Sequence, residues 1–261
     1  MALPLVFEKY REASIFGPSD FLAYMQRSGL LKEHEKAPKA VILSYQRSLF
    51  DYVIKNHPVH FHDGYFKNHL AFLDETDGQI AIAGRFGIGA PAAAMMLEEL
   101  IAFGAHSFIS LGTAGGLVPG LHPGDLVLCT GALRDEGVSY HYIPGGGPAL
   151  PDETMTSALE KNMQKAGVQP RKGLAWTIDA LYRETRIEMD QHISRGAVVV
   201  EMEASALFTV ARYREAKLAS CFTISDSLAE PEWKPEFLAE ETGSGLETLY
   251  HIALETLMQT L

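Results

Sequence analysis

The chain has 261 residues, 47% of them hydrophobic and 21% charged, proportions of a soluble globular protein with a substantial core. Its 33 acidic and 22 basic side chains leave a formal charge of −11, which argues against a nucleic-acid partner and requires any anionic ligand to be held by a few local cations. No apolar stretch reaches membrane-span length and the opening MALPLVFEKYREAS has too short an apolar run for a signal peptide, so a cytoplasmic protein without a membrane partner is expected.

Short apolar runs alternate with amphipathic ones along the chain. Residues 1–37 read as an N-terminal extension packed on one domain over 38–261. That domain opens with a strand at 39–44 and a helix at 47–56. In HPVHFHDGYFKNH (57–69), alternation puts His60 and His62 on one strand face, a geometry open to a metal. No Cys or Glu completes a ligand set nearby, so a half-exposed strand and loop without metal is expected. Strands at 69–74 and 79–84 precede a helix at 90–103, whose Pro91 stands in the first turn, where a missing N–H costs nothing. Strands follow at 106–111 and 124–133. The stretch RDEGVSYHYIPGG, with Arg134, His141 and Tyr142, reads as a loop long enough to close over a ligand. Helix 153–166, strand 173–178, helix 184–194, strand 197–201, helix 203–214, strand 219–225 and helix 242–259 complete the order. Cys129 and Cys221 lie far apart in apolar strand runs and read as buried free thiols. Alternating strands and helices imply a mostly parallel sheet covered on both faces. Ligands in such sheets bind beyond the carboxyl ends of the strands.

Four strand ends carry unusual chemistry. RFGIGAP (85–91) mimics a dinucleotide fingerprint, but the next strand ends SFISLG without the acid that would hold a ribose. A turn that lets the helix pack close to the sheet is the simpler reading. SLGTAGGL (110–117) reads as a Gly-rich turn in which Thr113 and backbone amides suit a small anion. VEMEAS (200–205) sets Glu201 and Glu203 at a strand-to-helix junction, where one carboxylate holds the junction and the other projects over the sheet end. A projecting carboxylate accepts two hydrogen bonds in a plane, which fits the 2′- and 3′-hydroxyls of a ribose. Met202, apolar and adaptable, suits packing against the sugar or base. In ISDSL (224–228), Ser225 and Asp226 read either as turn residues or as an acid at the mouth of the site.

In this order and at these intervals, GIGAP, GTAGGL, VEMEASALF and ISDSL resemble the nucleoside phosphorylase superfamily from about residue 38 to the end of the chain. The resemblance implies an α/β fold with a mixed, partly barrel-like central sheet flanked by helices. It implies a homo-oligomer, a trimer or a hexamer of dimers, that cleaves the N-glycosidic bond of a nucleoside with inorganic phosphate and no other cofactor. It carries the ribose diol to Glu203, the underside of the sugar to Met202, and the ribose and phosphate sides to Ile88, Gly112 and Thr113. Glu201, Leu181, Tyr182 and Ser225 join the substrate-binding set, and Asp226 matches the acid that protonates a purine at N7. Two departures stand out: ILSYQRSLF replaces a Gly-Asp-Pro loop followed by Arg, and Ser110 replaces a phosphate-binding Arg. Arg47, Arg85 and Lys67 are the substitutes, Lys67 where relatives reach into a neighbouring subunit. The missing Arg residues make hydrolysis, or binding without turnover, the alternatives. A uridine-specific enzyme remains another, with Arg134, His141 or Arg183 reading the base.

Overall fold

The computed structural model describes residues 6–32, 36–230 and 232–261; residues 1–5 and 33–35, parts of the extension expected over 1–37, and Pro231 lie outside them. In chain order the elements are α1 (Pro18–Arg27), β1 (Ala40–Ser44), α2 (Arg47–Asn56), β2 (Val59–Phe61), β3 (Leu70–Leu73), β4 (Ile80–Ala83), α3 (Ala90–Phe103), β5 (Ser107–Gly116) and β6 (Leu126–Asp135). There follow α4 (Ser139–Tyr142), α5 (Glu153–Lys165), β7 (Arg171–Ile178), α6 (Arg186–Ser194), β8 (Ala197–Glu201), α7 (Ala204–Tyr213), β9 (Lys217–Ser227), β10 (Lys234–Pro235) and α8 (Glu240–Thr260).

Strands whose residues are apolar at every position must be covered on both faces, and the central ones are. On β1, Val41 and Leu43 enter the core shared with α3 and α7, while Ala40 and Ile42 enter the one shared with α2, α5 and α8. The described strands form one sheet in the order β10-β9-β6-β7-β8-β5-β1-β4-β3-β2. A further β9–β5 pairing closes β5, β8, β7, β6 and β9 into a barrel. The sheet is mixed: β1 runs parallel to β4 and β5, whereas β8 is antiparallel to β5 and β6 antiparallel to β9. This is the partly barrel-like α/β architecture that the strand-end motifs imply.

Three differences from the sequence reading appear, two of them with one cause. GTAGG is the second half of β5 and not a turn, because Gly115 and Gly116 pair with Val200 and Val199 of β8 on one side and with Asp226 and Ser227 of β9 on the other. Ser225-Asp226-Ser227 likewise belongs to β9. Barrel closure thus extends both strands through polar and glycine residues that signal a turn when read locally. The third difference is α1, which begins with Pro18 and is capped by Gly17 N–H donating to Asp20 Oδ2 (2.8 Å). It buries Leu22 and Met25 in the α3 core. Cys129 and Cys221 are free and buried, and burial pushes the Cys129 thiol up to about 12.

At Gly173 on β7, an added Cβ would stand 2.4 Å from Val198 Cγ2 and 2.6 Å from Cγ1. A β-branched neighbour has no rotamer that clears both contacts. Gly173→Ala is therefore expected to destabilise the protein by about 1–3 kcal/mol, read as a lowered midpoint in urea denaturation. An unchanged midpoint would contradict the close approach of β7 and β8.

Candidate active site

The last residue of β8 and the residue before α7 divide their work. Glu201 turns inward: Oε1 accepts from the Thr177 hydroxyl (2.5 Å), and Oε2 accepts from the N–H groups of Glu203 (2.8 Å) and Ala204 (2.7 Å). Thr177 is the β7 residue in register with Glu201, and its Oγ1 accepts from Ser205 N–H (3.0 Å). Ser205 in turn donates to Glu136 Oε1 (2.8 Å). Glu201, grouped by sequence with the substrate-binding residues, has both its oxygens occupied in fastening the first turn of α7.

Glu203 turns the other way. Its Oε1 accepts from Gly89 N–H at 2.5 Å, across 114 residues of sequence. Gly89 has φ 91° and ψ 158°, a conformation essentially confined to glycine, and it precedes α3, whose dipole favours a carboxylate there. The GIGAP turn thus aims an amide at a protein carboxylate instead of a cofactor phosphate. Burial outweighs these supports and raises the Glu203 carboxyl well above its ordinary range, with the neighbouring Glu201 charge adding to the effect. Glu201 is also raised by burial, against the opposing hydrogen bonds from Thr177, Glu203 and Ala204.

Met202 is half-buried, its Cε 4.0 Å from where a Gly89 Cβ would stand. Ile88 is 61% exposed at the entrance. Tyr45, just after β1, lies edge-on to Phe86, and Gly112 leaves room for its ring, which an added Cβ would meet at 3.3 Å. The Tyr45 and Ser110 hydroxyls share a hydrogen bond (2.9 Å), and Gln46 Nε2 donates to Thr113 Oγ1 (2.9 Å). Burial, then the nearby Glu203 charge, pushes the Tyr45 phenol up. Neutral pairs therefore fill the corner beside Thr113. Tyr45 and Gln46 escaped the sequence reading, which weighed that segment only for absent residues.

Asp226 lies across Gly115 from Val200, with Oδ2 3.3 Å from an added Gly115 Cβ. Its Oδ1 accepts from the Ser225 hydroxyl (2.8 Å) and its Oδ2 from Trp233 Nε1–H (2.9 Å). Beside it, the half-buried Glu184 carboxyl is pushed up to about 7 by burial, then by the Asp226 and Glu188 charges. Leu181 and Tyr182 stand exposed on a 3-10 turn (Leu181–Arg183) leading to α6.

Other residues singled out by sequence go elsewhere. Arg134 donates to Ser139 Oγ, Ile143 O and Pro144 O, and its guanidinium lies 4.3 Å from the Tyr140 ring centre. These contacts tie Arg134, a candidate base reader by sequence, to the 139–144 segment. His141 is exposed on α4, with Nδ1 2.6 Å from Lys9 Nζ. Arg47 and Arg85 both pair with Asp51 on the exposed rim, Arg47 at 3.4 Å. Lys67 is exposed in the turn before β3. His60 and His62 stack on Phe72 from one face, and His60 Nδ1 lies 2.6 Å from Asp74 Oδ1.

With this fold and this junction in view, the comparison with known proteins is direct. The family model described as the phosphorylase superfamily matches residues 52–257, and the chain belongs to that family. It is 35% identical over 149 residues to uridine phosphorylase of Treponema pallidum, covering 53% of this chain and 58% of that protein. It is 31% identical over 192 residues to guanosine phosphorylase of Halorubrum lacusprofundi, covering 70% of this chain and 77% of that protein. Purine nucleoside phosphorylase of Toxoplasma gondii, solved with immucillin-H, shares the fold with a TM-score of 0.72 at 20% identity, over 84% of this chain and 90% of that one. The chain thus spans little more than half of the Treponema relative. No helix among the described residues is long and apolar enough to cross a membrane.

The raised carboxyls have a measurable consequence. Above the ordinary glutamate value of 4.5, an unfolded chain releases protons that folded Glu203 still holds. Stability from this source is full below that value and is lost as pH rises through the raised folded one. Glu203→Gln, which keeps an acceptor for Gly89, is expected to flatten the fall in melting temperature between about pH 5 and pH 8. A variant with the wild-type slope would contradict the buried, proton-holding state of Glu203.

Proposed function

We propose that the chain is a nucleoside phosphorylase that cleaves the N-glycosidic bond of a nucleoside with inorganic phosphate, giving free base and ribose 1-phosphate, with purine favoured. The observation that carries this reading is the Glu203 carboxylate, buried at the β8–α7 junction and anchored by the Gly89 amide. The sugar's 2′- and 3′-hydroxyls donate to this carboxylate and stabilise its ionised form. Met202 lies under the sugar, and Ile88 and Gly112 border it. As the C1′–N bond breaks, its electron pair leaves with the base, and Asp226 delivers a proton to the departing purine at N7. A phosphate oxygen then bonds to C1′, and the dianion stabilises the cationic sugar in between. Thr113 keeps its own O–H for the phosphate, since its oxygen accepts from Gln46. Arg47 and Arg85, released from Asp51, supply positive charge, with Lys67 as a further source. Leu181, Tyr182 and Ser225 border the base end. The same reading makes the protein a cytoplasmic homo-oligomer, a trimer or hexamer of dimers, with the exposed Ile88, Tyr182 and Ile187 as surface for a second copy to cover.

One observation favours a second reading. The Tyr45–Ser110 and Gln46–Thr113 pairs are uncharged, and a buried phosphate dianion without an adjacent cation is costly. Water as the nucleophile fits that corner without charge compensation. Guanosine, inosine and uridine assayed with and without phosphate separate the two. Phosphorolysis requires ribose 1-phosphate formation that depends on phosphate. Free ribose released at a phosphate-independent rate establishes hydrolysis instead.

Glu203→Ala is expected to lower kcat/KM by a hundredfold or more, about the loss of an electrostatic contact to the reacting sugar; near-wild-type kinetics would remove the sugar from this carboxylate. Asp226→Asn is expected to slow purine nucleosides by roughly two to four orders of magnitude, as for loss of a general acid, and to leave uridine nearly unchanged. Equal losses on both would contradict the acid role.

A further inference from the structure

The strand β9 continues past Asp226 into a strap that returns over it. Leu228 N–H donates to Gly116 O (2.9 Å), β10 pairs Lys234 with Ser227 and Pro235 with Asp226, and Glu236 N–H donates to Ser225 O (2.9 Å). Arg186, at the start of α6, donates to Leu228 O (2.5 Å) and to Glu230 O, tying the strap to the segment that carries Leu181 and Tyr182. Within this pinned strap Leu228 packs against the Leu117–Trp176–Val200 cluster, and Trp233 turns its indole N–H inward. Trp233 donates its indole N–H to Asp226 Oδ2 at 2.9 Å while 59% of its surface stays exposed beside Phe237, ring centres 6.1 Å apart. A tryptophan half in solvent, whose one polar atom grips a buried carboxylate, is not explained by core packing.

We propose that Trp233 is a base-specificity residue: its indole N–H and the N–H that a free purine base carries at N7 compete for Asp226 Oδ2, and its open ring face stacks on that base. The assignment rests on the nucleoside reading above and adds a residue to it. Asp226 alone would accept from any donor that reaches it. With the indole already on Oδ2, a ligand must replace that hydrogen bond in kind and cover the ring. A bicyclic base with an N–H on its five-membered ring does both; a single-ring pyrimidine has no such five-membered ring and covers less of the indole face. The strap is held at both ends, so the exchange needs rotation of one side chain and not an opening of the chain.

Two substitutions separate the two parts. Trp233→Phe keeps a ring and removes the competing donor, so hypoxanthine is expected to bind roughly three- to tenfold tighter, the worth of one hydrogen bond, with uracil unchanged. Trp233→Ala removes the stacking face, so hypoxanthine is expected to bind about tenfold weaker. A merely structural role would move both variants in the same direction. The protein has two tryptophans, and Trp176 is fully buried with its N–H on Asp135 Oδ2 (2.9 Å). Emission changes on titrating hypoxanthine into the whole protein therefore report Trp233, and the change is expected to vanish in Trp233→Phe. Calorimetry on the same samples reads binding without relying on fluorescence. If hypoxanthine binds by calorimetry while emission stays flat, or if both variants weaken binding alike, the role of Trp233 is overturned and the nucleoside reading stands. If neither hypoxanthine nor uracil binds and no nucleoside is turned over, both fall together.

Discussion

One constraint organises this protein: a carboxylate must stand buried where a hydrophobic strand becomes a helix, with only backbone to hold it. Isolated burial of a charged carboxylate is expensive, and here the cost is reduced by splitting the task between two glutamates. Glu201 satisfies the junction, accepting from Thr177 and two amides. Glu203 is held by backbone amides, its Oε1 accepting from Gly89 N–H. A buried carboxylate held only by backbone keeps acceptor capacity for further donors, and the proposed function rests on that. The barrel exists in service of this arrangement, since its closure through β9–β5 brings Gly115, Val200 and Asp226 together beside the same junction.

The electrostatics follow from that placement. Glu201, Glu203, Glu184 and Asp226 concentrate negative charge at the sheet ends of a chain that is already acidic, while Arg47 and Arg85 sit outward on Asp51. Raised carboxyls make the site least stable where it is most ionised, so function draws on stability that a neutral residue would retain. The corner beside Thr113 is held by neutral hydrogen bonds, and the base end by a strap whose tryptophan contacts the candidate acid. The regions proposed for sugar, anion and base thus differ in how they are held: by backbone amides, by uncharged side chains and by an indole.

Much of this was legible from the residues. Strands at 39–44 and 197–201 and helices at 47–56 and 90–103 agree with β1, β8, α2 and α3 to within a residue, because their apolar patterns have one period and clear ends. The division of labour between Glu201 and Glu203 followed from side-chain direction at a strand-to-helix junction. What escaped was whatever depended on long-range pairing. Glycine and serine at 112–116 and 225–227 signal turns locally, and only barrel closure makes them strand. The contacts of Arg134 with Ser139, Ile143 and Pro144 depend on how the 139–144 segment folds around it. Trp233 sits in a polar stretch, EPEWKPEF, where its size beside Phe237 was the one available hint. Its partner is fixed by the return of the strap, which no local pattern encodes.

The most direct measurement of the central claim is a crystal structure of the protein soaked with a nucleoside. The account predicts the ribose 2′- and 3′-hydroxyls within about 3 Å of the Glu203 carboxylate, with Met202 against the sugar. Density for the sugar away from that side chain would contradict it.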